Sequence, residues 1–138
     1  MKAVRFALVA ALVAVALAAV GCGGDDEEGT GDTGTVTETM TIEPGATLLG
    51  SVGPGFEIDL TTEDGQTVTS LPAGEYTIEV DDQADIHNFH LTGRGVDEDS
   101  GVSEMGQSTW TVTFEPGTYE YVCDPHTSQM NGSFEVTG

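Results

Sequence analysis

Positive charge is nearly absent from this chain. Its 138 residues include three Lys and Arg against 24 Asp and Glu. Lys2 and Arg5 precede every acidic residue, so Arg94 is the one cation of that type in the remainder. Nucleic-acid binding relies on clustered Lys and Arg to neutralise phosphates, and that class is excluded. An anionic bilayer would likewise repel the acidic surface. Histidine is scarce, with three residues and no His-x-His pair. The two cysteines, Cys22 and Cys123, are far apart. Structural zinc sites favour Cys-x₂₋₄-Cys pairs, and none is present. Internal repeats and a strong helical period are missing too.

What is present begins with an address. Met1 to Arg5 is a basic n-region, and Phe6 to Val20 is an apolar run of 15 residues. A spanning helix needs about 20, so the run reads as a signal h-region. Its end, Leu17-Ala-Ala-Val-Gly-Cys22, resembles a bacterial lipobox, in which the Cys is lipidated and becomes the first mature residue. Ala19 stands where Leu is usual, and ordinary signal cleavage is the alternative. Removing residues 1–21 leaves one cation against 24 carboxylates, a side-chain net charge of −23. Solubility or salt tolerance is the plain reading of that charge, and steering towards a basic partner the sharper one. Residues 22–42, opening Gly-Gly-Asp-Asp-Glu-Glu after Cys22, cannot bury a core and read as an acidic, glycine-rich tether. Its r.m.s. reach is roughly 25 Å.

Over 43–138 the pattern changes to period-two alternation with turn punctuation. Phe56, Ile58 and Leu60 share a face, as do Tyr76, Ile78 and Val80, and His87, Phe89 and Leu91. Trp110, Val112 and Phe114 alternate, then Tyr119, Tyr121 and Cys123, then Phe134 and Val136. Glu63-Asp-Gly65 and Glu115-Pro-Gly117 mark turns. Residues 102–107 have room for one turn of helix. This predicts an all-β sandwich of about eight short antiparallel strands.

The stretch Tyr121-Val-Cys-Asp-Pro-His-Thr-Ser-Gln-Met130 carries the chemistry. Cys123 offers a thiolate, His126 an imidazole and Met130 a thioether. Trigonal His₂Cys copper with a weak axial Met needs one more imidazole. His87 supplies it, because it shares the inward face of its strand, whereas alternation sends His90 outward. Gln129 is a rival axial oxygen donor. Asp124-Pro125 breaks the strand and turns His126 back over the thiolate.

At these residues the domain resembles a cupredoxin, a small blue-copper protein of the plastocyanin and amicyanin group. His87-Asn88 is similar to the family's His-Asn, Gly117-Thr-Tyr119 to its Gly-x-Tyr corner, and Cys123-Asp-Pro-His126 to its Cys-x-Pro-His. Three residues separate His126 from Met130, where plastocyanins usually have four and amicyanins two. The resemblance implies a Greek-key β-sandwich and one type 1 copper ion bound by His87, Cys123, His126 and Met130. It also implies an Asn88 backbone N–H donating to the Cys123 sulfur. Pro125 has no N–H, so the other usual donor position is empty, and a moderate reduction potential is expected.

The implied function is electron transfer by a monomeric, membrane-tethered carrier that meets redox proteins, with a basic docking surface on the partner as the sharper expectation. A copper-delivery or copper-holding protein on the same fold is the alternative. Three histidines leave no ligands for a second, catalytic copper centre, so an enzyme is not expected. If Cys22 is lipidated, Cys22→Ser will move the exported protein from the membrane fraction to the soluble one without altering the folded domain's spectrum. Multiple acyl chains give stable attachment where one is marginal, so a wild-type protein found wholly soluble would overturn the lipobox reading.

Overall fold

The computed structural model describes residues 41–138. The expected leader, Cys22 and all but the last two residues of the expected tether lie outside them. Ile42, at the start of the described chain, already packs against the core.

Alternation of apolar and polar residues builds two facing sheets. In chain order the strands are β1 (Thr47–Val52), β2 (Ile58–Thr62), β3 (Ser70–Pro72), β4 (Gly74–Asp82), β5 (His90–Gly93), β6 (Val96–Asp99), β7 (Gly106–Phe114), β8 (Gly117–Val122) and β9 (Asn131–Thr137). One sheet has the order β2-β1-β4-β7 and the other β3-β9-β8-β5-β6. The inward residues of both interleave as one core, from Leu48, Leu60, Tyr76 and Ile78 on one side to Leu91, Tyr119, Tyr121 and Phe134 on the other. Tyr119 stacks on Phe134 at 5.5 Å and meets Phe114 edge-on at 4.7 Å. Its hydroxyl donates to the Glu115 carbonyl and accepts from the Glu115 N–H, both at 3.0 Å, which pins the corner leading into β8.

Four expectations are refined. Nine strands are present among the described residues where about eight were expected; the three-residue β3 is the easiest of them to miss. The sheets are mixed, because β1 pairs with β4 and β3 with β9 in parallel. The reason is connectivity. After the β1–β2 hairpin the chain crosses to the second sheet for β3, then returns for β4 beside β1. Pro72 is tolerated because β3 is an edge strand, where a missing N–H costs no ladder bond. Residues 101–104 form a hydrogen-bonded turn, Glu104 N to Gly101 O at 3.2 Å, and β7 starts before a helical turn can develop. Phe56 does not share the buried face of Ile58 and Leu60. It lies in the loop before β2 and is 56% exposed, because the alternation it was read from begins only at Ile58.

Antiparallel pairing of β5 with β8 positions everything that follows. His90 is opposite Val122, so the residues just before β5 and just after β8 emerge at the same end of the sandwich. Among the described residues, no helix is long and apolar enough to cross a membrane.

Candidate metal centre

Three of the expected donors meet at that end. His87 arrives on the loop into β5, Cys123 directly follows β8, and His126 ends a 3₁₀ turn over Asp124–His126. The two Nδ1 atoms are 3.1 Å apart, and each is 3.5 Å from Cys123 Sγ. A triangle with those sides has its centre roughly 2 Å from every corner, which matches metal–imidazole and metal–thiolate bonds of about 2.0–2.3 Å. Three donor atoms at bonding distance from one point fit a metal ion. A hydrogen-bonded cluster would need a proton for each contact. Among the described residues, this is the one grouping of His, Cys, Asp or Glu close enough to hold an ion.

The turn explains how a short loop delivers several groups. Pro125 fixes a helical φ near its start. The His126 N–H then donates to the Cys123 carbonyl at 2.9 Å, and both Gln129 and Met130 donate to the His126 carbonyl at 2.9 Å. The loop closes where Cys123 N–H donates to Met130 C=O at 3.0 Å. Met130 is thereby fully buried beneath the cysteine loop, while Gln129 is exposed. Cys123 and His87 are also buried, and His126 is half-exposed.

A second set of bonds holds the loop that carries His87. The Ser100 hydroxyl donates to the buried Asp82 carboxylate at 2.8 Å and accepts from the Phe89 N–H at 2.8 Å. Burial pushes the Asp82 carboxyl above the usual range, against the Ser100 and Ala84 bonds that favour its charged form. Phe89 stacks on Tyr121 at 5.4 Å, so the residue after Asn88 is locked into the core.

Asn88 joins the two ligand loops through its side chain. Its Oδ1 accepts from the Asp124 N–H at 2.8 Å, and its Nδ2 donates to Asp124 Oδ2 at 2.7 Å and Asp99 Oδ1 at 2.8 Å. That bridge breaks the alternation rule, since Asn88 is fully buried between His87 and Phe89, both buried as well. The Asp124 carboxyl is held below the ordinary range first by Asn88, with burial opposing and His90 assisting.

His90 points outward as alternation predicts and takes no part in the donor triangle. It is occupied by Asp97 and Asp124. Phe56 was missed: its ring stands edge-on to His126 at 4.9 Å and to His87 at 5.6 Å, on the solvent side. A loop residue two positions before the start of β2 has no periodic signal to reveal such a contact. Asp99 and Asp124 were missed because their role depends on the fold bringing β6 to the cysteine loop.

The comparisons agree with this geometry. A sequence profile for copper binding proteins of the plastocyanin/azurin family matches residues 56–137. A rusticyanin variant is similar in structure with TM-score 0.51, 21% identity, and coverage of 66% of this chain and 76% of the other. Rusticyanin from Thiobacillus ferrooxidans gives TM-score 0.48 and 20% identity over the same shares. A heme-copper terminal oxidase dimer gives TM-score 0.46 and 17% identity, covering 74% of this chain and 68% of that one. The first of these likenesses, at TM-score 0.51, describes the fold alone. The profile match spans more than half the chain, and the chain belongs to the plastocyanin/azurin family of copper-binding proteins. Its cofactor is one copper ion, consistent with the donor triangle. Members of the family are typically electron carriers and commonly work outside the cytoplasm.

Replacing Asn88 by Ala removes an acceptor from the Asp124 N–H and a donor from two carboxylates. Stability of the metal-free protein should fall by about 1–3 kcal/mol, read as a lower urea midpoint at unchanged slope. A change under about 0.5 kcal/mol, the size of an ordinary surface substitution, would mean the bridge does not hold the loops.

Proposed function

We propose that this chain is a one-electron carrier with a mononuclear type 1 copper site, exported and held at the outer face of the cytoplasmic membrane by lipidated Cys22. The observation that supports it best is the convergence of His87 Nδ1, His126 Nδ1 and Cys123 Sγ on one point at the end of a packed sandwich. Those three side chains would hold the metal, and the burial of Met130, with Gln129 in solvent, favours the Met130 thioether over the Gln129 oxygen as the fourth donor. Copper bound there supplies a one-electron couple, which is fast when its surroundings change little between oxidation states.

The protein's part is to keep those surroundings fixed. His87 is held through the Asp82–Ser100–Phe89 chain, and Cys123 and His126 through the turn and Asn88. Cys123 and Met130 are closed off from water, whereas the His126 ring reaches the surface beside Phe56. The edge of His126 is therefore the exit for electrons. The acidic surface steers basic redox proteins towards a monomeric carrier, and the rate of encounter falls as salt screens the charge.

Copper(II) will give an intense thiolate-to-copper band that Cys123→Ser abolishes. The reduced protein will keep copper(I) against a competing chelator while exchanging electrons quickly, and that exchange will slow with added salt. A colourless copper(II) complex would sink the type 1 assignment. Rapid loss of copper(I) with slow exchange would favour copper delivery instead. Met130→Gln will lower the reduction potential, because a harder oxygen donor favours copper(II), and Gln129→Ala will hardly move it. The reverse ranking in voltammetry would transfer the axial role to Gln129.

A further inference from the structure

We propose that His90 is held as an imidazolium that clamps the cysteine loop to the outer face of the five-stranded sheet, which makes it a positioning residue for the metal centre. The inference rests on the reading of Cys123 and His126 as metal ligands. Both ring nitrogens face carboxylates: Nε2 is 2.9 Å from Asp97 Oδ1, and Nδ1 is 3.1 Å from each oxygen of Asp124. A neutral imidazole donates from one nitrogen and accepts at the other, whereas an ionised carboxylate only accepts. A neutral ring would therefore turn a lone pair on one of the two acids. The doubly protonated ring donates to both.

The register leaves no other counter-charge. His90 is opposite Asp99 of β6 and Val122 of β8, and the next outward positions are Asp97 on β6 and Glu120 on β8. Asp124 adds a further carboxylate from the turn. On its own strand the next outward residue is Thr92. Arg94 is turned away to the Pro116 carbonyl and Glu115. Every charged group facing the ring is thus acidic, and Asp97, Asp99 and Asp124 would repel one another around a neutral His90. Burial alone lowers the His90 pKa, but the bonds to Asp97 and Asp124 and the charges of Asp124 and Asp99 outweigh it and raise the value.

The clamp reaches the metal ligands through Asp124, which follows Cys123 and begins the turn ending in His126. Asn88 grips the same residue from the other side and also binds Asp99. The Asp124 contact is the stronger half, because Asp97 is 84% exposed and Asp124 46%. A histidine whose folded pKa is raised stabilises the fold fully below its unfolded pKa of about 6.5, and that contribution is lost as pH rises through the folded value. Above that point the Asp124 loop loosens and the cation beside the centre disappears.

The test uses the full chain with Cys22→Ser to keep it soluble, metal-free and copper(I)-loaded for the nitrogen-15 and exchange measurements, and copper(II)-loaded for the thiolate band. Nitrogen-15 shifts should show both His90 ring nitrogens protonated at pH 7, with a titration midpoint above about 6.5. After correction for base catalysis, Asp124 amide exchange should rise about tenfold across that midpoint, the scale of one partly exposed charged hydrogen bond. His90→Gln should show the faster exchange at every pH. Asp97→Asn should fold normally and lower the midpoint, so the claim stays testable if His90→Gln does not fold. In the copper protein, the thiolate band and the potential should move at the same midpoint in the wild type and stay flat in His90→Gln. The potential should fall as pH rises, because losing a cation favours copper(II). A neutral His90 at pH 7, or equal Asp124 protection in wild type and His90→Gln, would overturn the clamp. A titrating clamp with a fixed band and potential would overturn the positioning role. Failure of the copper reading itself appears separately, as a missing thiolate band.

Discussion

The antiparallel pairing of β5 with β8 is the constraint on which the centre depends. Cys123 and His87 are 36 positions apart, and neither loop alone holds more than part of a site. Pairing His90 with Val122 brings the start of one strand beside the end of the other. Because side chains alternate along both strands, the register that buries Leu91 with Tyr121 also directs the flanking donors to one end of the core. A one-residue slip would turn Leu91 to solvent, so packing of the sandwich and assembly of the site are enforced by the same energy.

Around that pairing the structure uses buried polar bonds where a hydrophobic contact would leave freedom. Asp82, Ser100 and Asn88 are all buried and all bonded, and among the described residues no buried side-chain nitrogen or oxygen lacks a partner. A polar group in a low-dielectric setting is costly to leave unpaired, which makes its geometry specific. The loops that carry His87 and Cys123 are thus tied down by bonds of specific geometry. Rigidity of this kind is what a carrier needs, since each change of oxidation state would otherwise have to move the protein.

Charge is handled differently at the centre and over the surface. Among the described residues most of the acids are exposed to solvent and set up a diffuse field. Near the cysteine loop three carboxylates are drawn together, by β6 on one side and the 3₁₀ turn on the other, and a histidine and an asparagine are placed between them. A chain with so few cations has to use imidazole there, and that choice brings a group whose charge changes near neutral pH.

The all-β class, the inward faces of most strands, and the residue types of the site were determined by the sequence alone. Period-two alternation specifies which side chains are buried, and a thiolate, an imidazole and a thioether within eight residues specify copper chemistry. Local patterns of that kind do not depend on which strands are neighbours. The parallel pairings, the inward turn of Asn88, the exposure of Phe56 against His126, and the gathering of Asp97, Asp99 and Asp124 on His90 were decided only by the tertiary structure. Each depends on contacts between segments far apart in the chain, where alternation assigns a face but not the neighbour waiting on it.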